Sequence, residues 1–131
     1  MPGYSGTPLP KKLGIKEGFS VRLTHVPSEV IAELRAALEK CHEGKTPLDF
    51  AMIFTKSQSA LAREFTCVAK QLSPAGMLWI SWPKKSSGVA TDLTENVVRD
   101  IGLKAGLVDV KVCAVTDIWS GLKFVRRLKD R

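Results

Sequence analysis

Two short runs constrain this chain more than anything else in it. Leu48–Phe54 (LDFAMIF) and Met77–Trp82 (MLWISW) are apolar at almost every position. A strand with one wet face alternates, whereas a strand apolar on both faces needs cover on both, as in a parallel sheet with helices on either side. Around these runs the apolar period becomes helical. Val30, Ile31, Leu34, Ala37, Leu38 and Cys41 share one face, as do Leu61, Phe65, Val68 and Leu72, and then Leu93, Val97 and Ile101. Phe19–Val26 alternates and stops at Pro27, after which Ser28 is expected to cap a helix with Glu29 in its first turn. Gly44 and Pro47 end that helix, and Ser73-Pro74-Ala75-Gly76 breaks the next. Leu107–Val115 and Leu122–Leu128 flank Asp117-Ile118-Trp119-Ser120-Gly121, too short for a crossover, so they read as a hairpin.

The order β-α-β-α-β-α-β-β implies an α/β, Rossmann-like three-layer sandwich. Its mostly parallel sheet should have five strands in the order 1-2-3-5-4, closed by a C-terminal antiparallel hairpin. Residues 19–131 make one domain, as a length of 131 residues suits. Residues 1–18 are expected to form an arm packed on it. Pro2, Gly3, Gly6, Pro8, Pro10, Gly14 and Gly18 exclude a long helix or a central strand there. Pro10–Leu13 can make one helical turn, and Tyr4, Leu9, Leu13 and Ile15 offer anchors. No run approaches the roughly 20 apolar residues that span a bilayer, and the opening residues lack a signal peptide's apolar stretch, so a cytoplasmic protein is expected. Cys41, Cys67 and Cys113 are odd in number and far apart, which suggests reduced thiols packed as small hydrophobes. No histidines stand at metal-ligand spacing, and no metal or other cofactor is expected.

The chemistry concentrates in Trp82–Asp92. In a parallel α/β sheet ligands bind outside the carboxyl ends of the strands. The loop after Trp82 carries Lys84, Lys85, Ser86, Ser87 and Thr91 at such an end, before a helix expected to start at Thr91 or Asp92, with Asp92 and Glu95 at capping-box spacing. A helix N-terminus with two lysines and three hydroxyls suits a phosphate or carboxylate, while the same residues would also serve a plain βα loop. Lys11, Lys12 and Trp119 are candidate arm or ligand contacts, Trp119 most simply as a staple packing Tyr4 or Leu9. Twenty Lys+Arg against thirteen Asp+Glu leave +7. Lys11-Lys12 and Lys123, Arg126, Arg127, Lys129 and Arg131 could merge with the loop into a basic surface for nucleic acid, whose attraction would be independent of sequence. That reading lacks exposed aromatics to stack bases, since the five phenylalanines read as core. His25 ends the first strand without a nameable partner, and no nucleophile elbow or Ser/His/Asp order occurs. The leading expectation is a non-catalytic module binding an anionic small molecule or a protein partner. An enzyme of unknown chemistry is the alternative and nucleic-acid binding the second; a homo-oligomer stays open.

Leu72–Ile80 (LSPAGMLWI) resembles the helix end, tight turn and buried strand near the end of class I methyltransferases. Residues 91–128 resemble their closing helix and hairpin, and Leu13–Val21 (LGIKEGFSV) the approach to their first strand. That family holds its cofactor on a glycine-rich turn after the first strand. Here the strand runs into His25-Val26-Pro27-Ser28, and no acidic residue ending a second strand stands out to hold a ribose. The resemblance therefore implies the architecture of roughly residues 13–128 and not methyl transfer from S-adenosylmethionine. A longer set of words is similar to a bacterial family of uncharacterised proteins, domain of unknown function 3052. These are Gly3–Leu9 (GYSGTPL), Trp82-Pro83-Lys84-Lys85 with Thr91-Asp92, and Val108–Val115 running to Trp119–Lys123 (WSGLK). That family brings no activity with it.

Overall fold

The structure is a computed structural model and describes residues 7–131. In chain order it contains α1 (Leu9–Leu13), β1 (Ser20–Thr24), α2 (Ser28–Leu38), β2 (His42–Glu43), β3 (Leu48–Phe54), α3 (Gln58–Ala69), β4 (Leu72–Pro83), α4 (Glu95–Lys104), β5 (Leu107–Ala114) and β6 (Trp119–Arg126). Short 3-10 turns cover Lys85–Ser87 and Leu128–Asp130. The sheet runs β2-β1-β3-β4-β6-β5. β2, β1, β3 and β4 are parallel neighbours, and β6 lies antiparallel between β4 and β5. The five expected strands thus keep their order. The sheet has six, because the two-residue β2 pairs with Ser20 and Val21 at the outer edge of β1.

The doubly apolar runs are covered on both faces. Ala51, Ile53, Leu78, Ile80 and Trp82 face α3 and α4, with Leu61, Phe65, Val98 and Phe124. Phe50, Met52, Phe54 and Trp79 face α1 and α2, with Leu9, Leu13, Val30 and Leu34. Trp79 and Trp82, three apart on one strand, point to opposite faces as period two requires. Phe65 and Phe124 meet edge-on at 5.2 Å. Gly102 of α4 lies against that ring: a Cβ there would come within 2.0 Å of Phe124 Cε1. Between Leu72 and Met77, β4 bulges, and its pairing with β3 jumps from Leu48↔Leu72 to Phe50↔Met77. Gly76 makes the jump possible, since a Cβ would stand 2.5 Å from the Leu48 carbonyl oxygen.

Several local expectations change. Pro27, not Ser28, is the N-cap of α2, and no side chain caps that end. The last helix starts at Glu95 rather than Thr91 or Asp92: the Thr94 hydroxyl accepts from Val97 N at 3.2 Å. Asp92 instead accepts from Gln58 N at 2.8 Å, joining Ser57, which caps α3 through Ala60 N. Trp119 belongs to β6, opposite Pro83, and not to the hairpin loop. Cys67 is exposed, while Cys41 and Cys113 are half-buried. The arm's Leu9, Leu13 and Ile15 are buried. Residues 1–6, with Tyr4 and the Gly3–Gly6 part of the opening word, lie outside the described residues. No helix among those described is long and apolar enough to cross a membrane.

Candidate functional site

β1, β3 and β4 all deliver their carboxyl ends to one rim, and each leaves it differently. After β1, His25 takes the left-handed backbone conformation (φ 57), an uncommon position for a residue with a Cβ and one that favours glycine. Its exposed ring places Nε2 3.6 Å from Glu64 Oε1 of α3. After β3, Thr55 N donates to Ser81 O at 3.0 Å, and the chain turns at once into α3. After β4, Lys84 N donates to Ile118 O at 2.7 Å and the chain makes its 3-10 turn before crossing to α4.

This last exit opens a cleft of about 550 Å³ lined by Trp82, Lys84, Lys85, Thr91, Glu95 and Ser120, among others. Its floor is apolar, with Trp82 and Leu93 buried, and its mouth carries the half-buried Lys84 and exposed Lys85. The expected residues divide accordingly. Lys84, Lys85 and Thr91 come together in the cleft, whereas Ser86 and Ser87 do not line it. Ser87 Oγ donates to Lys84 O at 2.6 Å and accepts from Val89 N, so it holds the turn. Thr91 Oγ1 donates to Lys56 O at 2.7 Å and accepts from Leu93 N at 3.1 Å, tying the α4 approach to the β3–α3 turn. Glu95 brings a carboxylate to the cleft, partnered by Arg99 at 2.6 Å. The cleft is thus amphipathic, suited to an organic anion with an apolar part more than to a bare ion.

The arm candidates separate too. Lys11 is exposed, while Lys12 Nζ donates to Ala114 O at 2.8 Å. Trp119 is buried and meets Phe54 edge-on at 5.3 Å. The tryptophan that bonds the arm is Trp79, whose Nε1 donates to Leu13 O at 2.9 Å. Among the described aromatic residues none is exposed, so the basic surface has no stacking platform there. Arg126, counted among the basic cluster, donates to the Ala69 and Leu72 carbonyls at 2.9 and 2.8 Å. No group of three or more His, Cys, Asp or Glu placed to hold a metal occurs among the described residues.

One acidic residue escapes sequence reasoning, level with Val21 and three residues short of the end of β1. Glu43 ends β2, the strand beside β1, and lines an apolar hollow of about 150 Å³ with Val21, Leu23, Val26, Ile31 and Leu38. Only its position two residues after the helix-to-edge turn at Cys41 hints at this role.

No family model and no curated protein sequence matches this chain. Solved structures do. An S-adenosylmethionine-dependent methyltransferase from Aquifex aeolicus superimposes with a TM-score of 0.60 at 15% identity, covering 87% of this chain and 85% of that one. The magnesium protoporphyrin IX methyltransferase from Synechocystis PCC 6803, solved with bound S-adenosylhomocysteine, gives 0.58 at 11% identity over 91% and 78%. A TehB-like methyltransferase from Corynebacterium glutamicum gives 0.58 at 8% over 95% and 90%. The fold is a Rossmann-like α/β domain of methyltransferase-like architecture.

Proposed function

We propose that this chain is a small-molecule-binding domain of enzyme lineage, built on the methyltransferase-like scaffold and using the carboxyl rim of β1, β3 and β4 as its working surface. The observation that carries this reading is the rim itself. The strained His25 turn and the Lys84–Glu95 cleft stand two strand spacings apart, roughly 10 Å, the reach of a nucleoside-sized ligand. Residues held at positive φ without glycine cluster at functional sites. Glu43 ends β2, the strand after whose counterpart the resembled family places an acid for a ribose, although its register with Val21 sets it below the rim, beside an apolar hollow. The kinship with the domain of unknown function 3052 belongs to this proposal, resting on the three sequence words.

A second reading, a non-catalytic binder of an organic anion, is favoured by the β1 turn, which has no glycine to admit a cofactor's close approach, and by the paired lysines of the cleft. Calorimetry with S-adenosylmethionine and S-adenosylhomocysteine separates the two. Saturable heat that Glu43→Gln weakens at least tenfold supports the enzyme reading. Absence of heat, together with a thermal shift from carboxylate or phosphate compounds that Lys84→Ala/Lys85→Ala abolishes, supports the binder. No response to either set defeats both.

A further inference from the structure

The second feature that calls for a ligand lies on the opposite side of β6 from the rim cleft. Trp79, Lys123 and Lys111 are direct neighbours across β4, β6 and β5. Directly opposed residues share a face, and Trp79 faces α1, so both lysines do as well. Lys111 and Lys123 therefore oppose each other with like charge, an arrangement that destabilises a sheet. Lys12 of α1 joins them: its Nζ reaches Ala114 O at 2.8 Å, and Lys111 Nζ reaches Lys12 O at 3.4 Å. The same face carries the half-buried thiol of Cys113, opposite Gly121. Burial and the neighbouring Lys111 hold the Lys123 ammonium below its ordinary range. Burial raises the Cys113 thiol, against the lowering pull of Lys12 and Lys111.

No carboxylate pairs with Lys111 or Lys123 among the described residues, and residues 1–6 (MPGYSG) contain no acidic side chain. The hairpin thus sets Lys111 against half-buried Lys123 with no carboxylate paired to either. We infer that the α1-side face of the β5–β6 hairpin, at Lys12, Lys111 and Lys123 beside Cys113, binds the phosphate group of a small molecule. A phosphate dianion matches several converging ammonium groups, for which lysine serves as a point charge. Its arrival replaces a like-charge repulsion by an attraction. This site is independent of the rim cleft.

The thiol gives a local readout. The three cysteines of the intact protein are alkylated with iodoacetamide, with and without pyrophosphate at constant ionic strength, and each is followed by mass spectrometry. Pyrophosphate neutralises the lysines and lifts the thiol further, so Cys113 should react at least threefold more slowly while exposed Cys67 is unchanged. The protection should vanish in Lys111→Ala/Lys123→Ala and in the single Lys111→Gln, and survive in Lys84→Ala/Lys85→Ala. Equal Cys113 rates with and without pyrophosphate, protection by sodium chloride alone at matched ionic strength, or protection that outlasts loss of Lys111 and Lys123 would each overturn the inference.

Discussion

The two faces of the sheet are built from the same strands but finished differently. On the α3 and α4 side the cover interlocks below the rim cleft: Phe65 and Phe124 meet, Gly102 lets α4 settle onto the ring, and Arg99 is paired with Glu95 and Asp109. On the α1 and α2 side the long helix stops short. The five-residue α1 is strapped down by the Trp79 hydrogen bond to Leu13 O and by lysine bonds to β5, and beyond it β5 and β6 present lysines instead of leucines. Where helical cover interlocks the sheet carries apolar side chains; where it ends, Lys111 and Lys123 oppose each other with no carboxylate paired to either among the described residues, and such a pair is a place for a ligand.

The largest test of this contrast is Phe65→Ala. It opens a cavity in the finished face and should cost about 3–5 kcal/mol in chemical denaturation; a cost under about 1 kcal/mol would mean that this face is no tighter than the other. Trp79→Phe sharpens the opposite side. It keeps most of the ring but leaves the Leu13 carbonyl unpaired, for about 1–2 kcal/mol. Amide exchange should quicken over residues 9–15 before it does in β3. Uniform loss of protection would show that the strap is not local. The smallest effect lies in pH. Arg99 holds the Asp109 carboxylate below its usual range, so its contribution is present above about pH 4 and lost as the carboxylate protonates in the fold. Lys123 acts with the opposite sense. Its ammonium is disfavoured in the fold, so the unfolded chain binds the proton more readily and stability gains as alkaline pH discharges it. Asp109→Asn should flatten the acid limb and Lys123→Met the alkaline one; if each leaves its limb unchanged, these groups do not distinguish the faces.

Much of the architecture was legible because it rests on period. LDFAMIF and MLWISW are too short for buried helices and too apolar for a wet face, so they read as covered strands, and the hairpin followed from loop length. The edge strand β2 was not legible, because His42 and Glu43 have no apolar pattern and owe their pairing to Phe19 O and Val21 O accepting from His42 N and Gly44 N. The start of α4 misled through Asp92, whose carboxylate serves the neighbouring helix. At the rim cleft the lysines and Thr91 were findable from their place after a strand, but their hydrogen bonds were not, and they leave Ser86 and Ser87 outside. The lysine face was hidden for a geometric reason. Regular alternation from Leu107 would put Lys111 beside Asp109 on the α4 side; the bulge between Asp109 and Lys111 turns it to the other.

The central claim is that the carboxyl rim of the parallel strands is where this protein meets a small molecule. The most direct measurement is an amide-resolved NMR titration of the 15N-labelled chain with S-adenosylhomocysteine. Saturable shifts at residues 24–28, 43, 55–57 and 84–95 are expected, with β5 silent. Shifts absent from every one of those segments, or confined to residues 107–126, would contradict it.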